Sequence, residues 1–339
     1  MVSILLFALD NMIVAPALPM IISEIDGDKY FNYVFTAYLL TQTIVTPIYG
    51  KLSDIISRKK MIMIAIAIFL ISSLLCGLSQ NIYELIIARA LQGIGGGAIF
   101  VTAMSMIGEL FNLEERAKYQ GYIGVMFGLA SVSGPILGAI ITSSFSWRYI
   151  FLINMPVGAV SLYLLYRYLP SVIHQDKKSK IDYIGSALLV AMLTPFILMF
   201  SFMNGTDVVN MYSVLLFVFA ALVFVFFYKY EKSIDYPLFS HSLFRDRKFI
   251  IPAGLSFVNA IILFSATIYI QILLQKVIGI DLEAAGLTIC AMVLPMLTSS
   301  ILSSRYVGRT KHYRGVVVYG SLVLLLALMN FSFLLYTAS

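Results

Sequence analysis

The strongest constraint on the fold is the alternation of long uncharged apolar runs with short basic islands. The clearest case is residues 50–60, GKLSDIISRKK. Residues 31–49 before it and 61–78 after it carry no charge. Each run is long enough to cross a hydrocarbon core of about 30 Å as a helix. The island is too short to be a domain and is predicted to be a tight hairpin loop at a membrane face. Lys51, Arg58, Lys59 and Lys60 outnumber Asp54, which marks that face as cytoplasmic.

The whole chain repeats this pattern. It is 60% hydrophobic and only 12% charged, where soluble domains carry about 25% charged residues. The apolar runs are continuous rather than alternating, which favours an all-α polytopic membrane protein over a β-barrel. A net charge of +6 raises nucleic acid as a partner, but the basic residues gather between apolar runs, so lipid orientation explains them and nucleic-acid binding is not expected. Cys76 and Cys290 both lie inside apolar runs and are read as packing residues, with no disulfide. Asp10 and Pro19 interrupt the first run, and no cleavable signal peptide is expected.

Eleven spans are predicted, near 2–22, 31–50, 61–79, 82–107, 119–143, 147–169, 182–203, 211–229, 249–272, 285–303 and 315–337. With the N-terminus inside, all but four of the chain's 23 Lys and Arg fall in cytoplasmic loops. The exceptions are Lys29 and Lys276 outside, and Arg89 and Arg148 in or at the end of spans. One miscounted early span would move every later loop to the other side and destroy this bias. Two longer basic loops divide the chain into 1–170, a six-helix bundle; 171–230, a loop plus two additional helices; and 231–339, a loop plus the first three helices of a second bundle. The run ending at Ser339 has no polar tail, so a fragment is expected.

Four motifs resemble the major facilitator superfamily. In the island, Gly50, Leu52, Ser53, Asp54, Arg58 and Lys59 match the family's loop between helices two and three, with Ile55 in place of a basic residue and Ser57 in place of a glycine. The resemblance implies a conformational latch, with Asp54 favoured by a helix N-terminus and Arg58 and Lys59 as basic members. In the fourth span, Arg89, Gln92, Gly93 and Gly95 resemble the family's Arg-x-x-Gln-Gly-x-Gly, and Gly93 and Gly97 form a small-xxx-small face. Residues 93–98 also fit a dinucleotide pattern, but no strand or soluble βαβ unit surrounds them, so no nucleotide cofactor is expected. In the fifth span, Gly134, Pro135 and Gly138 resemble the antiporter signature of the family's exporters, a bendable and closely packed helix. In the first span, Leu9, Asp10, Val14, Ala17, Leu18 and Pro19 are similar to the opening motif of the fourteen-helix drug:proton antiporters. Residues 147–158 and the two additional spans point to the same subgroup. Against fourteen helices, the last three are absent.

Asp10 and Arg89 are the ionisable side chains well inside the first six spans. Counted along their helices at about 1.5 Å per residue, they differ in depth by about 8 Å, within reach as long-range or water-bridged charges. Both should face the bundle interior or a wet cavity. Burial penalises the carboxylate's charge and Arg89 supports it, so movement of Arg89 is expected to switch protonation and couple transport to protons. His174, His241 and His312 all fall in cytoplasmic loops, which argues against a histidine relay across the membrane. Phe7, Asn11, Tyr38, Gln42, Met126, Phe127, Asn259, Tyr269 and Gln271 are the candidate wall of a cavity suited to lipophilic, often cationic small molecules. The sequence shows no metal-ligand cluster, nucleophile–base pair or phosphate loop, so an enzyme is not expected. The expected function is proton-coupled export of small amphipathic molecules across the plasma membrane. The alternatives are an uptake symporter, a lipid exporter, or a truncated membrane protein that does not transport.

Overall fold

The computed structural model describes residues 1–25, 30–170, 182–202, 210–234, 236–239, 243–272, 282–310 and 312–338. All regular structure among them is helical. The α-helices are α1 (Val2–Glu24), α2 (Phe31–Ile55), α3 (Arg58–Leu78), α4 (Ile82–Leu110), α5 (Leu113–Ser144), α6 (Tyr149–Leu152), α7 (Asn154–Tyr168), α8 (Tyr183–Ser201), α9 (Met211–Ser233), α10 (Arg247–Ile272), α11 (Leu282–Thr310) and α12 (Tyr313–Ala338). A 3₁₀ turn, Leu243–Arg245, precedes α10. Helix is the expected form here because each backbone N–H and C=O finds its partner within its own segment, as a lipid surround requires. Among the described residues, seven stretches are long and apolar enough to cross a bilayer: α1, α3, α4, α5, α6 with α7, α8 and α9.

The helix starts are written in polar residues. Asn81, Asn112, Asp182 and Asn210 each accept a hydrogen bond from the backbone N–H three residues on, opening α4, α5, α8 and α9. At Asn112 the Glu115 carboxylate also accepts from the Asn112 N–H, completing a reciprocal cap. This cap moves the start of α5 six residues ahead of the predicted span, because the polar first turn continues the helix beyond the apolar part.

Two predictions need correction. The island at 50–60 is not a hairpin loop throughout. Helix α2 runs on to Ile55 and α3 begins at Arg58, so only Ile56 and Ser57 connect them. Ser57 has φ −50° and ψ 124°, a region open to any residue, which is why the family's glycine is dispensable in this turn. The sixth span is not one regular helix either. It is broken into α6 and α7 at Ile153, whose backbone stays near-helical at φ −61° and ψ −23°.

Packing concentrates at the N-terminal end. Helix α4 lies between α2 and α3, α1 packs on α5, and α6 and α7 pack on α3 and α1. Helices α8 and α9 form a hairpin whose α8 leans on α2, and α11 packs against α5. The described side chains of α10 and α12 are mostly exposed, as is much of α9. The buried core therefore sits among α1–α7, around the polar residues described next.

Candidate coupling site

Helix α4 carries glycine where its neighbours come closest. A β-carbon on Gly97 would sit 2.7 Å from the Gln42 carbonyl of α2, and one on Gly93 would collide with the Tyr38 carbonyl and the Thr41 hydroxyl. On another face, a β-carbon on Gly95 would lie 2.6 Å from the Phe69 backbone nitrogen of α3. These contacts let α2 and α3 close on α4, so that Arg89 and Gln92, just before the glycines, reach into a shared centre.

At that centre Asp10 is fully buried and Arg89 is 1% exposed. Arg89 Nη1 donates to Asp10 Oδ2 at 3.0 Å and to Gln92 Oε1 at 2.8 Å. Asp10 Oδ1 accepts from Gln92 Nε2 at 2.9 Å and from Asn154 Nδ2 at 2.8 Å. Both amides also donate to Ser73 Oγ, at 3.1 and 2.9 Å, and Ser73 in turn donates to the Phe151 carbonyl at 2.9 Å. The guanidinium carbon lies 4.1 Å from the Tyr38 ring centre and 5.8 Å from that of Phe151. A buried ion pair offsets its desolvation only when its remaining hydrogen-bonding capacity is met. Three donors on one carboxylate, with aromatic faces beside the cation, provide much of that compensation.

This arrangement differs from the depth count. Asp10 and Arg89 touch directly rather than acting at long range or through water. The long arginine stem spans the remaining offset once the α4 glycines have brought the helices together. Gln92 and Asn154 lie inside the sequence motifs but carried no predicted role. Ser73 had no signal beyond being a hydroxyl in an apolar run.

Polar contacts join α1 to the sixth span along its length. Ser3 and Ser161 share a hydroxyl–hydroxyl bond at 2.8 Å, Asp10 bonds Asn154, and Glu24 pairs with Arg148 just ahead of α6.

Part of the predicted cavity wall comes together. Asn11 Nδ2 donates to the Phe7 carbonyl at 2.8 Å and reaches Tyr38 Oη at 3.2 Å. Phe7, Phe127 and the unpredicted Phe100 form a triad, with ring centres 5.4 Å apart for Phe7–Phe100 and 6.1 Å for each other pair. Met126 is half-buried against the same cluster. Gln42 sits one turn beyond Tyr38 with its Oε1 buried and unbonded. Asn259 is exposed on α10 and is not brought to these residues. The side chains of Tyr269 and Gln271 lie outside the described residues.

The predicted latch residues are bound within the first seven helices. Arg58 Nη1 lies 2.7 Å from Glu109 Oε2 and donates to the Ser105 carbonyl at 2.6 Å, both on α4. Lys59 Nζ donates to the Tyr166 and Leu169 carbonyls at the end of α7, at 2.8 and 2.6 Å. Gly50 is 3.9 Å from Val101 when given a β-carbon, an ordinary contact. The Asp54 side chain lies outside the described residues. In α5, β-carbons on Gly134 and Gly138 would come within 2.6 Å of Met12 Cβ and 2.7 Å of the Ile13 carbonyl, so these residues with Pro135 form the seat for α1 just beyond Asp10.

Residues 1–339 match the sequence profile of the Major Facilitator Superfamily. The chain is 37% identical over 311 residues to the Multidrug resistance protein 3 of Bacillus subtilis, covering 91% of this chain and 59% of that protein. It is 34% identical over 301 residues to the Multidrug transporter protein MdtP of the same organism, covering 88% and 56%. It is 32% identical over 338 residues to the Efflux pump dotC of Dothistroma septosporum, covering 97% and 58%. The chain thus spans less than two thirds of the length of these relatives. Among solved structures, the human organic anion transporter MFSD10 superposes with a TM-score of 0.61 at 19% identity, covering 90% of this chain and 70% of that one. The proton:xylose symporter XylE gives 0.58 at 17% identity, covering 90% and 67%. The profile match over the entire chain and the shared helical fold place the protein in the major facilitator superfamily.

Proposed function

We propose that this chain works as a proton-coupled secondary transporter that exports small amphipathic molecules by alternating access, in the manner of the fourteen-helix antiporters. The observation that carries the reading is the Asp10–Arg89 ion pair, buried mid-helix and held by Gln92 and Asn154. Ionisable groups at such depth are costly, and in membrane proteins they mark ion and proton pathways. Asp10 takes up and releases the proton. Arg89 competes with that proton for the carboxylate, so separation of the pair and protonation are linked. The cluster of Phe7, Asn11, Tyr38, Phe100, Met126 and Phe127 adjoins the pair and supplies aromatic faces with a few polar atoms, a surface suited to lipophilic substrates. The printed names of the relatives, multidrug resistance protein and efflux pump, support export. The 1–170 and 231–339 segments belong to the two bundles that rock around the cavity, with protons and substrate as partners. In this reading the protein lies in the plasma membrane with its N-terminus in the cytoplasm, an orientation that the basic loops support.

The test is dye transport in reconstituted vesicles with an imposed pH gradient, comparing wild type with Asp10→Asn. Gradient-driven flux should be lost, while exchange of labelled for unlabelled dye without a gradient persists. Gradient-driven transport at the wild-type rate in Asp10→Asn would rule out the coupling role. Flux in the direction of the proton gradient would replace antiport by symport.

A further inference from the structure

The last two turns of α9 carry a stripe that the transport reading does not use. Phe224, Val225, Tyr228, Lys229, Lys232 and Ser233 line a hollow of about 600 Å³. Their three- and four-residue spacing places them on one side of the helix. The hollow is aromatic and aliphatic toward the middle of the helix and cationic at its end. All six residues are exposed, and Lys229 and Lys232 form no ion pair or hydrogen bond among the described residues. The nearby acid does not neutralise them. Glu231 is turned to the other side of α9 and buried at 7% exposure, with its Oε2 accepting from the Phe239 backbone N–H at 3.0 Å. Helix α8 packs on α9, and Gly185 lies beside the Glu231 carboxylate. Among the described residues, the outward stripe therefore keeps two positive charges above an apolar surface.

We propose that this stripe binds one anionic glycerophospholipid, with its phosphate between Lys229 and Lys232 and an acyl chain along Phe224 and Val225. The charge complements the phosphate, and the apolar lining continues in the direction the acyl chains take from it. The loop after α9 is one of the basic loops that the positive-inside pattern assigns to the cytoplasm, the side on which anionic headgroups attract lysine. A soluble anion would meet the same two lysines but gain nothing from Phe224 and Val225.

The test is native mass spectrometry of the full chain released from detergent after titration with phosphatidylglycerol or phosphatidylcholine. Phosphatidylglycerol should form a tighter first adduct. Lys229→Gln/Lys232→Gln should weaken that adduct roughly 30-fold, since each lysine near the surface is worth about a factor of five. The charge-matched variant Arg305→Gln/Arg309→Gln should leave it unchanged. Equal weakening by both double variants, or equal binding of phosphatidylcholine, would overturn the site. Displacement of the lipid by inorganic phosphate at equal concentration would overturn the lipid as its occupant.

Discussion

Replacing Asp10 by asparagine isolates what the buried pair does for stability. The asparagine oxygen can still accept from Gln92 and Asn154, which fixes its amide nitrogen against the Arg89 guanidinium, donor facing donor. With both partners at 1% exposure or less, the arginine then keeps its charge with, among the described residues, the Gln92 oxygen and the aromatic rings as partners. Removing one partner of such a pair costs about 3–5 kcal/mol, and replacing both by neutral groups costs far less. Asp10→Asn/Arg89→Gln should therefore be more stable than Asp10→Asn alone, with a coupling of at least about 2 kcal/mol. The chain's single tryptophan offers the readout. Trp147 is fully buried, its ring centre is 6.2 Å from that of Phe151, and Phe151 faces Arg89. Its fluorescence during unfolding in mixed micelles of increasing dodecyl sulfate should rank the four proteins. If the two single substitutions add, or if Asp10→Asn costs nothing, the pair is not held as described.

Three further outcomes follow from packing and capping. Gly93→Ala should destabilise by about 1–3 kcal/mol in the same assay, because its β-carbon meets the α2 backbone. Gly108→Ala, with no atom within 4 Å, should be neutral or gain up to about 1 kcal/mol from helix propensity. Asn112→Ala should cost about 1 kcal/mol and increase amide hydrogen exchange in the first turn of α5, and an unchanged exchange rate there would remove the cap from the account.

The helical fold was legible because hydrophobic length is a property of single segments. The Asp10–Arg89 contact was only half legible. Their positions along two helices could be counted, but the glycine-permitted approach that makes them touch is a relation between helices. Ser73 and Asn154 show the same limit from the other side: nothing in their own segments says that they converge on one carboxylate. The turn at Ser57 has an ordinary φ, so serine in place of the family's glycine carries no backbone cost there, a fact that residue identity alone does not disclose. Residue Asn259 was selected for its amide in an apolar run, and its exposure on α10 depends on neighbours that a single run does not name.

The polar contacts between α1 and the sixth span carry a mechanical consequence. Ser3 to Asp10 and Asn154 to Ser161 are both seven-residue steps, about 10 Å along each antiparallel helix, so the two bonds keep one register like sleepers under a pair of rails. Glu24 and Arg148 fasten the far end. Sliding one rail past the other would break every fastening at once, so the two helices travel as a single plank. On its remaining flank the carboxylate is held, among the described residues, by the arginine and glutamine of α4, so separation there would free it without disturbing the plank.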